Sequence, residues 1–244
     1  MILPKPQDAI HKIQMYRLLK EILDNAYLSQ NLYFKGGTCA SMLNYLDRFS
    51  FDLDFDLKKG VNKNEARKKL DEIFRKLEFE IKDESKLALQ FFLRYESQTG
   101  LRNTLKIEAL DKYYQNNEYQ KVYLSEIDRF AQCQTIETMF SHKLVALQDR
   151  FVNQGSIAGR DAYDIHHFFL AGYRYKAVLL EERTGKKSLE YFRELKKFIA
   201  SKVTDKVISQ DLNTLLPFDK FKMIRNNLKG ETLLFIEDEI RRLS

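Results

Sequence analysis

Phe51, Leu53, Phe55 and Leu57 alternate with Asp52, Asp54 and Asp56. At a strand period of two, the apolar side chains share one face and the three carboxylates the other. Three like charges on one strand face repel each other. A divalent cation removes the objection, because hard cations take clustered oxygen ligands. Other stretches follow a helical period. Residues 8 to about 29 repeat Ile10, Ile13, Leu19, Ile22, Leu23 and Ala26 at helical spacing behind Asp8, the expected N-cap. Residues 31–34 read as a short strand that runs into Gly36 and Gly37, and residues 40–45 as the helix that follows. A further helix, capped by Asn62 or Asn64 and ending at Leu77, turns Ala66, Leu70, Ile73 and Phe74 inward.

Three β-like runs come next, at 78–81, 86–96 and 101–110, and Ser97-Gln98-Thr99-Gly100 joins the last two as a hairpin. Residues 113–117 read as a loop. From Thr135 the pattern turns helical, at roughly 135–152, 160–172, 187–202, 206–215, 218–228 and 231–242, punctuated by Gly155, Gly159, Gly185 and Pro217. The expected fold class is therefore α+β. Residues 1–133 form a unit with a mixed or antiparallel sheet, and residues 134–244 form a helical domain.

Composition adds limits rather than answers. The chain has 244 residues, enough for a substantial core. No apolar run approaches the roughly 20 residues of a membrane span, and the first residues lack the apolar core of a signal peptide. Two cysteines, Cys39 and Cys133, are too few for a disulfide scaffold. A cytoplasmic protein without a membrane partner is expected. The net charge of +6 suits a nucleotide or nucleic-acid partner without requiring one.

The candidate chemistry gathers around the glycines and the aspartates. In Lys35-Gly36-Gly37-Thr38 the two glycines let the backbone approach a phosphate, and the following helix would aim N–H groups at it. Asp52 and Asp54 can reach one Mg²⁺, or share a pair of metals, in the geometry for in-line displacement at phosphorus. Glu108 is expected on a neighbouring strand as a third carboxylate, either metal ligand or base; the plainer alternative pairs it with Lys106. Lys143 and Arg150 lie seven apart, hence on nearly one helical face, and two such cations suit a triphosphate. They also fit an ordinary amphipathic helix. Asp161 and Asp164 are three apart and neighbours on a helix. Asp161 could cap that helix, orient Lys143, contact substrate or act as base. Arg48 could touch phosphate or pair with an acid. His166 and His167, being adjacent, point to different faces and are read as core or surface residues.

Together Lys35-Gly36-Gly37-Thr38, Arg48-Phe49-Ser50-Phe51-Asp52-Leu53-Asp54-Phe55, Lys106-Ile107-Glu108, Lys143 to Arg150 and Arg160-Asp161-Ala162-Tyr163-Asp164-Ile165 resemble the AbiEii/AbiGii-type nucleotidyltransferase toxin family, whose members include the MenT toxins. The resemblance runs from about residue 30 to 170. It implies a polymerase-β-like nucleotidyltransferase domain followed by a helical C-terminal domain that completes the active site. It further implies Asp52, Asp54 and Glu108 as metal ligands for Mg²⁺ or Mn²⁺. Gly36, Gly37, Thr38, Arg48, Lys143, Arg150 and Arg160 would bind the NTP, and Lys143, Asp161 and Asp164 would complete the catalytic set. The expected reaction moves an NMP from an NTP to an acceptor hydroxyl, on the 3′ end of tRNA or another RNA. The biological role implied is the toxin of a toxin–antitoxin or abortive-infection system, with a cognate antitoxin as partner. Two rivals remain at this point: a D-x-D glycosyltransferase using a nucleotide-sugar, and a catalytically silent module that binds nucleotide or RNA.

Overall fold

The computed structural model describes residues 1–244. They divide into two compact units. Met1, Leu3–Tyr113 and Glu118–Thr135 form the first, and Ile2, Tyr114–Asn117 and Ile136–Ser244 the second.

In the first unit the order is α1 (Asp8–Asp24), α2 (Ala26–Asn31), β1 (Leu32–Lys35), α3 (Gly36–Met42), β2 (Asp52–Leu57), α4 (Lys63–Lys76), β3 (Glu80–Glu84), β4 (Leu89–Arg94), β5 (Thr104–Leu110), β6 (Tyr119–Leu124) and β7 (Arg129–Gln134). The seven strands form one sheet in the order β3-β4-β5-β2-β1-β7-β6. It is mixed: β2 runs antiparallel to β1 and parallel to β5, and β1 runs parallel to β7. Period-two alternation gives the sheet its two characters. Phe34, Leu53, Phe55, Phe91, Leu93, Leu105, Ile107 and Cys133 are all buried. The helices α1 and α4 complete this core with Met15, Leu18, Leu19, Ile22, Leu70, Ile73 and Phe74. Phe74 meets Phe91 edge-on at 5.0 Å. The alternate positions carry Tyr33, Lys35, Asp54, Gln90 and Glu108, a polar face. The edge strand β3 is exposed at every position and shifts register between Ile81 and Asp83.

Several elements differ from the pattern-based expectation, each for a local reason. The helix expected over residues 8–29 breaks at Asn25, whose extended backbone (ψ 115°) and side chain cap α2 by accepting from the Tyr27 and Leu28 N–H groups. Asp8 lies inside α1, with Gln7 in the cap position, and accepts instead from the Lys5 N–H at 3.2 Å. The helix after the glycines begins at Gly36 rather than near residue 40. Asn62 does cap α4, accepting from Asn64 and Glu65. The hairpin β6–β7 had no signal strong enough to read, because its strands mix charged, amide and aromatic residues.

His11 joins α1 to the start of β2. Its Nε2–H donates to the Phe51 carbonyl at 2.8 Å, and Nδ1 meets the Tyr95 hydroxyl at 2.6 Å. The ring is buried, and that burial, helped by the Arg102 cation, lowers its pKa to about 4. Arg102 also stacks on Phe51, 3.9 Å from the ring centroid. The residue before Asp52 is thus held from two sides.

The second unit is helical: α5 (Ile136–Gln154), α6 (Gly159–Leu170), α7 (Ala177–Thr184), α8 (Ser188–Lys202), α9 (Asp205–Leu212), α10 (Phe218–Ile224) and α11 (Leu228–Leu243). The short α7, which the sequence pattern did not reveal, ends at Gly185 in the left-handed region. At the centre is α6, packed against α5, α9 and α11. Phe168 and Phe169 meet Phe140 of α5 at 5.2 and 4.9 Å. Gly159 lets α6 start directly on α9: a Cβ there would stand 2.7 Å from both the Ile208 Cα and the Val207 carbonyl oxygen. These are backbone atoms that cannot swing aside.

Two outcomes are expected. Gly159→Ala overpacks the α6–α9 crossing and costs about 1–3 kcal/mol, read as a lowered urea midpoint with an unchanged slope; an unchanged midpoint contradicts the packing. His11 titrates near 6.5 when unfolded and near 4 when folded. The unfolded chain therefore takes up a proton that the native one refuses, so stability is full above pH 6.5 and falls as pH drops toward 4. The loss is roughly 2 kcal/mol between pH 8 and pH 5. His11→Gln should be less stable at pH 8 yet show a shallower decline with acid. An equally steep decline in the variant would remove His11 as its source.

Candidate active site

The turn from β1 into α3 is the centre of the site. Gly36 has φ +79°, in the left-handed region that side chains avoid, and a Cβ there would collide with Asp54 Oδ2. At Gly37 a Cβ would lie 2.8 Å from Ser50 Oγ and 3.0 Å from Arg48 Nη2. Gly36 is thus required by its backbone conformation and by Asp54, and Gly37 makes room for the Ser50 and Arg48 side chains. Thr38 is fully buried, and its hydroxyl donates to the Asp52 carbonyl at 2.5 Å. The side chain expected on a phosphate therefore faces inward and ties α3 to the acid strand, which leaves the backbone N–H groups of the turn for an anion. Arg48 needs a similar correction. It is 2 % exposed, donates from Nη1 to the Phe49 carbonyl at 2.9 Å and sits beside Gly37, not open to solvent.

Sheet register sets the acids side by side. Lys35 pairs with Asp54, Asp54 with Glu108, and Glu108 with Gln90, a single row across β1, β2, β5 and β4. Neighbouring strands are about 4.8 Å apart, so adjacent side chains in such a row can touch one ligand. Asp52 and Asp54 are half-buried at the start of β2. Glu108 is oriented by Gln90 Nε2 on Oε1 at 2.6 Å and Lys106 Nζ on Oε2 at 3.1 Å. The pairing with Lys106 and the position beside Asp54 are thus both present. Asp56 is different. It is 5 % exposed and takes Lys35 Nζ at 2.6 Å, the Tyr119 hydroxyl at 2.9 Å and Gln134 Nε2 at 2.6 Å. Its charge is consumed inside the sheet, so the three carboxylates of β2 do not share one open face.

No three His, Cys, Asp or Glu side chains are gathered tightly enough to enclose a cation by themselves. Two half-buried carboxylates suit Mg²⁺, which keeps several waters and is commonly held by one or two carboxylates plus substrate phosphates.

The second unit holds the other expected residues in two ion pairs. Lys143 Nζ lies 2.7 Å from Asp164 Oδ2, and Arg150 Nε 2.8 Å from Asp161 Oδ2. The rising numbers on α5 meet falling numbers on α6, as antiparallel helices demand. Asp164 is fully buried and Asp161 nearly so, and charges this deep require such partners. Asp161 is neither an N-cap nor the partner of Lys143: Ala158 holds the cap position, and Asp161 belongs to Arg150. Arg160 stands at the second position of α6, its backbone N–H directed at Asp211. His166 is buried against Glu231 at 2.7 Å.

Sequence reasoning passed over Lys35 and Gln90 as members of the row. Lys35 and Gln90 each occupy an alternate position of a strand whose other positions are apolar, which is the signal that would have found them.

The profile of the nucleotidyl transferase AbiEii toxin family, of type IV toxin–antitoxin systems, matches residues 17–225. Among solved structures, a protein from H. pylori assigned as a nucleotidyltransferase superposes with a TM-score of 0.61 at 21% identity, covering 98% of this chain and 99% of that one. JHP933 from Helicobacter pylori gives 0.54 at 20% identity, over 99% and 96%. MenT4, a nucleotidyltransferase toxin from Mycobacterium tuberculosis, gives 0.55 at 15% identity, over 97% and 87%. At these identities the likeness speaks for the fold. No curated protein matches by sequence. A glycosyltransferase no longer fits.

Gly36→Ala should lose nucleotide binding about tenfold or more, because the new methyl group displaces the Asp54 carboxylate and strains the turn. Titration of a fluorescent ATP analogue checks this, with circular dichroism to confirm folding. Wild-type affinity in a folded variant would show that the turn does not shape the site.

Proposed function

Since this chain belongs to the AbiEii nucleotidyltransferase toxin family, we propose that it transfers an NMP from an NTP to the 3′ hydroxyl of an RNA, with tRNA as the acceptor, in a reaction that depends on a divalent metal. The observation that supports this most directly is the abutment of Gly36 and Asp54, which joins the glycine turn to the acid strand without an intervening side chain. The NTP is a substrate of the family's reaction, and a cognate antitoxin is the partner that a type IV system implies. No helix is long and apolar enough to cross a membrane. Action in the cytoplasm, on the RNA and NTPs found there, is part of the proposal.

In this reading the phosphates of the NTP rest on the N–H groups of Gly36 and Gly37, and Asp52 and Asp54 would hold Mg²⁺ or Mn²⁺. A cation bound there would neutralise charge on the phosphates. The acceptor oxygen bonds to the α-phosphorus as the bond to the β-phosphate bridging oxygen breaks, and pyrophosphate leaves. Glu108, steadied by Gln90 and Lys106, serves as the third carboxylate, either as ligand or as acceptor of the hydroxyl proton. Thr38 and Arg48 act beneath the turn and fix its shape. Lys143 and Arg150 are proposed as the cations of the reaction, with Asp164 and Asp161 fixing their side chains. Most of the rate enhancement would come from positioning and charge.

Label transfer tests this: purified protein, Mg²⁺ or Mn²⁺, each α-labelled NTP in turn and total tRNA. Label on RNA is expected with one or more NTPs. Asp52→Ala/Asp54→Ala should reduce it by about 10³-fold or more, and Lys143→Ala by about 10²-fold. Absence of label with all four NTPs, in protein shown to bind nucleotide, would overturn the RNA-transfer proposal.

A further inference from the structure

A cavity of about 450 Å³ opens in the first unit among Gln30, Tyr33, Lys58, Lys121, Phe130 and Gln132. It belongs to the other end of β1 from Gly36. Tyr33 pairs with Asp56, whereas Lys35 pairs with Asp54. Two strand residues, about 7 Å, therefore separate Tyr33 from the row of acids. The volume is within the ~300–1,000 Å³ common for small-ligand sites, room for one nucleotide rather than for a helix or a duplex.

Three features fix the chemistry of the occupant. Charge is the first: Lys58 and Lys121 line the cavity and no carboxylate does. The acids nearby are engaged elsewhere, Asp24 at the end of α1 with Arg129, and in the hairpin turn Glu126 with Lys12 and the N-terminal amine and Asp128 with the Tyr123 hydroxyl. The second is an aromatic wall. Phe130 is 57% exposed, a large fraction for an apolar ring, and Lys121 Nζ stands 5.1 Å from its centroid. Tyr33 packs on Tyr119 at 4.5 Å, and the Tyr119 hydroxyl donates to Asp56, so the wall is rigidly joined to β2. The third is the amide groups of Gln30 and Gln132, which offer donors and acceptors together. Rings that stack on bases, lysines for phosphates and amides for base edges are the components of a single-strand binding site. An acidic peptide would use the lysines and leave the rings idle.

We propose that this cavity binds one nucleotide of the single-stranded segment of the RNA acceptor, close to the reacting 3′ end. The inference rests on the RNA-transfer reading above and names the surface that would select the acceptor. It assigns Phe130 a stacking role and Lys58 and Lys121 a backbone role.

Fluorescence anisotropy with a short labelled single-stranded RNA tests it, with a fluorescent ATP analogue titrated in parallel. Phe130→Ala should weaken RNA binding about tenfold, and Phe130→Tyr should restore it. Lys58→Glu/Lys121→Glu should weaken binding and flatten the dependence of log affinity on log salt by about 1.4. ATP-analogue affinity should stay within about twofold in all three, because the altered side chains lie away from Gly36. Wild-type RNA affinity in the variants would overturn the proposal, as would loss of the ATP analogue instead of RNA. Displacement of the RNA by polyglutamate as readily as by unlabelled RNA would also overturn it, in favour of an acidic protein. If RNA binds through these residues but no NTP labels it, the transfer reading fails and the binding site stands.

Discussion

The Asp54 carboxylate occupies the space in which a side chain at residue 36 would stand, and much of the first unit follows from that exclusion. Only a residue without Cβ lets β1 turn left-handed into α3 at this point. The turn then brings Thr38 under β2, where its hydroxyl bonds the Asp52 carbonyl. From the other side, His11 holds the carbonyl of Phe51. Glycine turn and acid strand are therefore one mechanical piece, gripped at residues 51, 52 and 54.

Around that piece, acids are distinguished by what surrounds them. Asp56 is buried and spent on Lys35, Tyr119 and Gln134. Glu108 keeps two donors but stays partly open. Asp52 and Asp54 are half-exposed at the strand's start. In the second unit Asp161 and Asp164 are buried deeply enough that only a full cation opposite makes them tolerable. Residue type alone does not separate these roles; solvent access and partners do.

The sequence carried the fold where hydrophobic period and caps agreed, as in α4 with Asn62 or in β2 with its strict alternation. Residue chemistry and the family resemblance supplied what period cannot, an expected purpose for the glycines and the acids. Neither could reveal the break at Asn25, because an Asn that caps the next helix is compatible with a helical apolar repeat running past it. Nor could they reveal the hairpin β6–β7, whose exposed Lys121, Tyr123 and Phe130 defeat the alternation that announces a strand. For the site, residue types fitted the expected places while orientations did not. Spacing on a helix put Lys143 and Arg150 on one face, but only the antiparallel packing of α5 on α6 assigns Asp164 to one and Asp161 to the other. Likewise Thr38 and Arg48 match a phosphate-binding motif by position, and only burial shows them facing the protein.

The outer strand β3 bears on how the protein behaves in concentrated solution. A sheet edge is a row of unsatisfied backbone groups that can recruit the edge of another molecule. Here it is short, presents Glu80, Lys82, Asp83 and Glu84 to solvent, and is kinked by the register shift after Ile81. Two copies approaching along this edge would bring like charges together on a bent strand. This border of the sheet thus acts as its own guard against edge-to-edge assembly.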